Sequence, residues 1–239
     1  MREGGLRGKK TVIVGVIRAL SVLDAERAEE NGADMLELRI DLLKDEERDV
    51  EKVNEFISAL KMSVIVTNRR REEGGSFTGS EEERIALLSR IIETAEVDFV
   101  DIELFSPQAE RIKLVETAKG LHVSIIFSFH DFRGMPHRAE LLETIARMYE
   151  EGGSIAKIAV TPQTLSDALL LLNLTYELSR EGKLLAMIGM GPIGRHLRVV
   201  APLYGSVLTY GFIEGGEEVS PGQFSVKELR SMLEKLGLK

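Results

Sequence analysis

The sequence predicts an α/β fold, a (β/α)8 TIM barrel, that forms a single domain over residues 1–239. Short runs rich in β-branched residues alternate eight times with amphipathic segments of helical period. Strands that alternate with helices pair in parallel through right-handed crossovers, and eight such units favour a closed barrel over an open sheet. No linker rich in Pro, Gly or Ser divides the chain, whose length suits one barrel of about 200 to 250 residues.

The alternation predicts each element in turn. Strands are predicted near residues 11–17, 35–41, 63–69, 98–104, 122–130, 154–160, 184–190 and 205–211. Helices are predicted near residues 22–31, 49–60, 81–95, 108–118, 137–151, 164–180, 193–201 and 225–236. Ser80 precedes three glutamates, which is typical of a helix start, and Gly32, Gly152 and Gly182 stand where helices should end. Residues 1–10 are predicted to form a flexible tail.

The composition limits the classes of partner that this protein can bind. A net charge of −8 offers no basic face for nucleic acid, and no apolar stretch approaches the roughly 20 residues that span a bilayer. The absence of cysteine removes disulfides, thiolate metal sites and thiol nucleophiles. The N-terminal residues contain no hydrophobic signal core. We therefore predict a cytoplasmic protein that binds neither nucleic acid nor membrane.

Polar side chains gather at the C-terminal ends of the predicted strands, where the chemistry of such barrels lies. They are Arg18, Glu37, Arg39, Asp41, Arg69, Glu103, His130 and Lys157. On the second strand, Glu37, Arg39 and Asp41 alternate with apolar residues, so the three share one face. A half-exposed antiparallel strand would alternate in the same way, whereas in a parallel barrel strand the polar face points inward.

Lys157 lies in the middle of the apolar run 154–160, which is typical of a strand buried on both faces. Burial disfavours the charged form of an amine, which is one way in which a lysine becomes a nucleophile near neutral pH. Ile155 and Ala159, its neighbours on the same face, carry no charge, so any partner must come from another strand. The alternative is a lysine that extends to solvent or pairs with a buried carboxylate and has no further role.

His130 ends the apolar run of the fifth strand and shares its face with Ser128. A lone histidine is more often a hydrogen-bonded structural residue than a catalyst. The strand that ends at His130 is, however, the neighbour of the strand that carries Lys157. An imidazole and an amine that open into one cavity would supply an acid or base beside a nucleophile that captures carbonyl groups.

The segment Gly189–Gly194 matches the G-x-G-x-x-G pattern of dinucleotide-binding proteins, with Glu214 at the expected distance. Only one predicted strand follows it, so no nucleotide-binding half can be completed. We interpret the segment instead as a glycine-rich loop whose backbone amides, at a helix N-terminus, favour an anion. Arg195 or Arg198 could then bind a carboxylate.

Several short motifs occur in a fixed order along the chain. They are Glu37-Leu38-Arg39-Ile40-Asp41, Thr67-Asn68-Arg69, Glu73-Gly74-Gly75, Ser128-Phe129-His130-Asp131-Phe132, Lys157, Arg198 and Ser220-Pro221-Gly222-Gln223. The ordered set, from about residue 11 to the end, resembles the type I 3-dehydroquinate dehydratases of the shikimate pathway. The resemblance implies a homodimeric (β/α)8 lyase without metal or cofactor, which converts 3-dehydroquinate to 3-dehydroshikimate with syn loss of water.

The resemblance also implies roles for individual residues. Lys157 would form a Schiff base with the C3 ketone, His130 would act as general base and acid, and Glu73 would orient the histidine. The substrate would be held by Glu37, Arg39, Arg69, Arg198, Ser220 and Gln223, beneath a lid formed by residues 213–223. The chain departs from the family pattern at Gly15, Leu197, Val219 and Ser220.

Two other functions fit part of the pattern. An aldolase with the same lysine would share the barrel and the imine but break a C–C bond; the histidine, the glutamate and the arginines for a carboxylate argue against it. A non-catalytic sensor of a similar ligand would need neither Lys157 nor His130.

Overall fold

Eight parallel strands form a barrel in residues 11–238, the part of the chain that this computed structural model describes. A ninth strand of two residues extends the sheet. The strands, β1 to β9, are Val12–Ile17, Met35–Arg39, Ser63–Thr67, Phe99–Glu103, Ser124–Asp131, Ile155–Val160, Leu185–Gly189, Leu208–Phe212 and Phe224–Ser225. The tail predicted for residues 1–10 lies outside the described residues.

Helices connect successive strands and cover the outer face of the barrel. The α-helices, α1 to α9, are Val22–Glu30, Val50–Ala59, Glu81–Thr94, Gln108–Gly120, Arg138–Glu150, Leu165–Arg180, Gly191–Gly194, Leu197–Val200 and Val226–Lys235. Shorter 3-10 turns are Ile40–Leu42, Asp45–Glu47, Arg71–Glu73 and Ala201–Tyr204. Within residues 11–238, no helix has the length and apolar character needed to span a membrane.

The sheet order is β7-β6-β5-β4-β3-β2-β1-β8-β9 with parallel pairing throughout. The barrel closes between β7 and β8, where Leu185 and Ser206 form a parallel bridge. The N–H of Val207 donates to the carbonyl oxygen of Leu185 at 2.7 Å. The predicted (β/α)8 architecture is therefore confirmed.

Local signals define several helix ends as expected. Ser80 Oγ accepts from the N–H of Glu83, and the Glu83 carboxylate accepts from the N–H of Ser80. This reciprocal cap fixes the start of α3. Gly32, Gly152 and Gly182 have φ angles of 94°, 99° and 79°, in the left-handed region that ends helices and favours glycine.

The side chains that point into the barrel change character along its axis. Towards the N-terminal ends of the strands they are apolar and form a buried cluster, which includes Val14, Met35, Ile65, Ile126 and Ile155. One inward position further along, five strands carry polar side chains: Glu37, Thr67, Asp101, Ser128 and Lys157. The apolar cluster is therefore the floor of the polar layer, and that layer opens towards the C-terminal ends of the strands.

The second strand ends two residues earlier than predicted. β2 stops at Arg39, and Asp41 lies in the 3-10 turn that follows. The Asp41 carboxylate accepts from the Arg39 side chain at 2.9 and 2.7 Å and from the backbone N–H groups of Arg69 and Ser76 at 3.1 Å each. Asp41 therefore lies beyond the strand, where its carboxylate holds the Arg39 side chain, and it does not line the pocket described below.

The helix predicted over residues 193–201 is broken into α7, α8 and a 3-10 turn. Gly189 and Gly194 approach so closely that a Cβ on Gly189 would lie 2.4 Å from the Gly194 carbonyl oxygen. Pro192 and Pro202 stand at the starts of α7 and the 3-10 turn and remove N–H donors there. The two glycines thus allow the backbone to approach itself closely in a turn. One continuous helix over this segment could not make that turn.

Candidate active site

A pocket opens at the C-terminal ends of the strands, with about 500 Å³ of space including its open mouth. All nine site residues predicted from the sequence line it: Glu37, Arg39, Arg69, Glu73, His130, Lys157, Arg198, Ser220 and Gln223. Tyr210, Val16, Ile188 and Met190 also contribute to its wall. Residues far apart in the chain are therefore brought together at one place.

Lys157 is 4% exposed, and its Nζ contacts two carboxylates. It lies 2.9 Å from Asp101 Oδ2 and 3.4 Å from Glu37 Oε1. It also lies 4.1 Å from the centre of the Tyr210 ring. The partners come from β4, β2 and β8, as expected for a side chain whose own strand offers no charge. In this structure the amine is thus an ion-paired group that also lines a pocket.

Arg69 joins the acidic residues of the third and fourth strands. Its Nη1 donates to Asp101 at 2.9 Å, to Glu103 at 2.6 Å and to Ser128 Oγ at 2.7 Å. Burial opposes the charge on Asp101, but Arg69 and Lys157 outweigh it and hold the pKa of Asp101 below its ordinary value. Burial likewise opposes the charge of Arg69, but Asp101 and Glu103 hold the pKa of Arg69 well above its ordinary value. Both groups are therefore charged at neutral pH.

Sequence reasoning missed Asp101, Tyr210 and Arg84. The alternation of Phe99–Glu103 puts Asp101 on the same face as Glu103, and this signal was sufficient to find it. Arg84 comes from α3, and its guanidinium is buried 3.0 Å from Glu103 Oε2. No local pattern in a helix indicates such a contact, because it depends on how α3 packs against the barrel.

Glu73 holds His130 by two contacts. Glu73 Oε2 lies 3.0 Å from His130 Nδ1 and accepts from the His130 backbone N–H at 2.9 Å. Gly74 follows with a φ of 85°, and a Cβ on Gly75 would lie 1.9 Å from the Arg69 carbonyl oxygen. The two glycines thus allow the tight loop that places Glu73, and the contact to Nδ1 leaves Nε2 as the ring nitrogen for proton transfer.

The surroundings shift the pKa values of both Glu73 and His130. Burial and the nearby Glu103 raise the pKa of Glu73 to about 8. Burial and the cations Arg69 and Lys157 hold the pKa of His130 well below its ordinary value. At neutral pH the imidazole is therefore uncharged, as a general base must be.

Arg198 brings a buried cation to the other side of the pocket, where Glu218 is the acidic group that favours its charge. Its side chain is 2% exposed, and Nη2 donates to Ser220 Oγ at 2.7 Å. Its Nε has no hydrogen-bond partner among residues 11–238. Burial and the neighbouring Arg195 lower the pKa of Arg198 to about 10, so it remains charged. A buried guanidinium with spare donors has the geometry and charge to bind a carboxylate.

The lid segment, residues 213–223, lies against this side of the pocket. Gln223 Oε1 accepts from the N–H of Val219 at 2.8 Å, which leaves its NH2 group for a ligand. The N–H of Gly191 donates to the carbonyl oxygen of Pro221 at 3.2 Å. That amide of the glycine-rich loop thus holds the lid segment, and anion binding by the rest of the loop remains a prediction. Closure of the lid remains a prediction.

Two predicted arginines have contacts that limit their part in the pocket. Arg195 stacks on the Phe224 ring with its guanidinium carbon 4.1 Å from the ring centre, so Arg198 alone of this pair lines the pocket. Arg18 lies 3.5 Å from Glu217 in the lid segment, and both side chains are exposed. Arg18 therefore belongs to the outer rim.

Within residues 11–238, no group of three or more His, Asp or Glu side chains is arranged to hold a metal ion. The absence of metal and cofactor remains a prediction. The fold and the pocket define the class of this protein: it is a (β/α)8-barrel enzyme that acts on a small molecule.

Comparisons with known proteins identify the family. The family model of type I 3-dehydroquinase matches residues 13–239. The 3-dehydroquinate dehydratase of Methanosarcina acetivorans is 41% identical over 231 residues, 95% of this chain and 96% of that protein. The solved 3-dehydroquinate dehydratase of Geobacillus kaustophilus is 28% identical with a TM-score of 0.86, over 95% of this chain and 91% of that chain. The type I enzyme of Clostridium difficile, solved with covalently modified comenic acid, is 29% identical with a TM-score of 0.86, over 96% and 93%.

This chain therefore belongs to the type I 3-dehydroquinate dehydratase family, and it is a lyase of the hydro-lyase class. The resemblance found in the sequence is confirmed at this level.

The raised pKa of Glu73 predicts a pH-dependent stability. The folded protein binds a proton on Glu73 up to about pH 8, whereas the ordinary value is 4.5. The stability that this proton contributes is fully present below the lower value and is lost as the pH rises to the higher one, by up to about 1.4 kcal/mol per pH unit. The difference in free energy of unfolding between wild type and Glu73→Gln should therefore fall across this interval, as measured by urea titration.

The control is Glu72→Gln, because the Glu72 side chain is 62% exposed. This variant should follow the wild type at every pH. Parallel curves for wild type and Glu73→Gln would contradict the raised pKa of Glu73.

Proposed function

We propose that this protein dehydrates 3-dehydroquinate to 3-dehydroshikimate in the shikimate pathway, through a Schiff base on Lys157. The observation that carries the proposal is that Lys157, His130 and Arg198 line one pocket, where a nucleophile, a neutral base and a carboxylate site face the same space. The covalently modified ligand of the Clostridium difficile structure supports covalent capture in this family. One lysine and one histidine then suffice for the reaction.

The first step is attack of the Lys157 amine on the C3 ketone, followed by loss of water to give an imine. The amine must be neutral to attack, whereas it rests in an ion pair with Asp101. In this proposal the uncharged imidazole of His130 takes the ammonium proton and gives it to the carbinolamine hydroxyl, which leaves as water, so the imidazole is neutral again before the second step. Asp101 and Glu37 remain beside the nitrogen and stabilise the protonated imine.

The second step removes the elements of water from the substrate ring. The protonated imine accepts electrons and thereby acidifies the C2 hydrogen, which His130 removes. The C1–O bond then breaks, and His130 returns the proton to the departing oxygen, so water leaves. Glu73 keeps the ring of His130 in position through Nδ1 during both transfers. Hydrolysis of the imine releases the product and restores the amine.

The remaining pocket residues would orient the substrate. Arg198 and the free NH2 group of Gln223 bind the carboxylate, with Ser220 as a further donor. Glu37 and Arg39 hold ring hydroxyls. Arg69 lines the pocket, but three acceptors already engage its Nη1. In our proposal it therefore acts chiefly by holding Asp101 and Glu103.

Lys157→Ala should abolish turnover and leave the fold intact, because Asp101 keeps its bond to Arg69 and Glu37 keeps its bond to Thr67. Turnover is followed by the ultraviolet absorbance of the conjugated product. Intact-mass analysis after borohydride reduction should show an adduct on Lys157 in the wild type and none in the variant. The exposed Lys113→Ala is the matched control, and appreciable dehydration by Lys157→Ala would refute the imine route.

His130→Ala should lower kcat by several orders of magnitude and change substrate affinity far less, because one imidazole serves as both base and acid in this mechanism. General acid–base catalysis contributes about 10² to 10⁴ in each such role. Steady-state kinetics over a range of 3-dehydroquinate concentrations separates the two parameters. An effect confined to KM would reduce His130 to a binding residue.

We further propose that the protein acts in the cytoplasm as a homodimer and that residues 1–239 form one catalytic domain. Sedimentation equilibrium at micromolar concentration should return twice the mass of a single chain. A mass that stays that of one chain at all concentrations would contradict the dimer.

A further inference from the structure

Tyr210 lies in the polar layer of the barrel beside the residues proposed for catalysis. It points inward from β8, is 3% exposed and lines the same pocket as Lys157. Its Cα pairs in register with that of Val14, so the floor of the barrel supports it from one side. Neither the sequence motifs nor the mechanism above gives this residue a task.

The ring of Tyr210 is one wall of the site that holds the amine. Lys157 Nζ lies 4.1 Å from the ring centre, and two carboxylates contact the same nitrogen. The negative face of an aromatic ring attracts a cation, and this attraction grows when water is excluded. The ring and the carboxylates together therefore fix the nitrogen in one position in the pocket.

The hydroxyl of Tyr210 is buried and has no hydrogen-bond partner among residues 11–238. Buried polar groups are almost always satisfied, and an exception beside a pocket is explained most simply by a ligand or a water that completes it. Burial, together with Glu37 and Asp101, holds the pKa of Tyr210 well above its ordinary value. The hydroxyl is therefore protonated and offers a donor, and it stands at the rim of the ring over which the amine lies.

We infer that Tyr210 is a substrate-positioning residue: its ring holds the Lys157 amine, and its hydroxyl donates a hydrogen bond to a substrate oxygen close to the carbon that the amine attacks. The inference rests on the proposed function, because it needs a ligand with a carbonyl group bound at Lys157. The hydroxyl aligns the ligand, and the ring aligns the nucleophile. One residue thus positions both reactants.

Tyr210→Phe separates the two tasks, because it removes the hydroxyl and keeps the ring. We expect kcat/KM for 3-dehydroquinate to fall about tenfold, mainly through KM, as for loss of one hydrogen bond to the substrate. The borohydride-trapped adduct at saturating substrate should form at the wild-type rate, since the wall beside the amine is unchanged. Unchanged kcat and KM would show that only a structural water completes the hydroxyl, and would overturn this part of the inference.

Tyr149→Phe is the matched control. The Tyr149 hydroxyl donates to the carbonyl oxygen of Leu184 at 2.7 Å, and the residue does not line the pocket. Removing the Tyr149 hydroxyl shows the effect of losing a tyrosine hydroxyl outside the pocket, and kcat and KM should remain those of the wild type. A KM change equal to that of Tyr210→Phe would overturn the assignment of a specific substrate contact.

Tyr210→Leu removes the ring as well. We expect the rate of adduct formation, measured by quenching with borohydride at short times, to fall at least tenfold below that of Tyr210→Phe. Equal rates for the two variants would overturn the role of the ring. Thermal unfolding of each variant shows whether it is folded, and the Phe variant keeps the hydroxyl test valid should the Leu variant unfold.

The wild type separates failure of this inference from failure of the proposed function. A wild type that neither dehydrates 3-dehydroquinate nor forms a trapped adduct would refute both. A wild type that does both, beside a Phe variant with the same kinetics, would refute only the role of the Tyr210 hydroxyl.

Discussion

A buried carboxylate shared by two buried cations is the constraint on which the site depends. Asp101 has no exposed surface and accepts from Lys157 on one oxygen and from Arg69 on the other. Ions this far from water persist only when they are paired and hydrogen-bonded, so each of the three fixes the position of the other two. Arg69 extends the pairing to Glu103, and Arg84 completes it from the outer helix layer. The result is a rigid charged network in the polar layer, beneath the open part of the pocket.

The same charges shift the pKa values of the neighbouring titratable groups. Lys157 and Arg69 repel a proton on the imidazole and so contribute to the low pKa of His130. Glu103 repels the charge of the nearby carboxylate and so contributes to the raised pKa of Glu73. The barrel interior can set the protonation states of these groups because its low dielectric strengthens every pairwise electrostatic interaction. Arg198 stands apart from this network, and its unused donors remain available to an anionic group of the substrate.

Much of the arrangement of the inward-pointing side chains was predictable, because it follows from the local periodicity of the sequence. Period-two alternation placed Glu37 and Arg39 inward. The order of the strands placed Lys157 on β6 beside β5, the strand of His130, and in the register of this strand pair Ser128 lies opposite Lys157. The same alternation applied to Phe99–Glu103 would have found Asp101. Tyr210 was missed because an aromatic residue in an apolar strand carries no sign that its hydroxyl is left unpaired. Asp41 was assigned to the strand although it lies in the turn that follows, because its carboxylate accepts from amides of a segment about thirty residues away.

The sequence by itself determined the barrel, the order of its strands and the set of side chains that gather at their C-terminal ends. The barrel and the polar residues of its strands follow from hydrophobic period and chain connectivity, which act over a few residues at a time, whereas Glu73, Ser220 and Gln223 were indicated by the family resemblance. Only the tertiary structure decided which charges pair, which hydrogen bonds remain open and how the segment 191–204 breaks into short helices. Those outcomes depend on distances between residues far apart in the chain, and burial makes each distance matter because no water is present to screen or replace a missing partner.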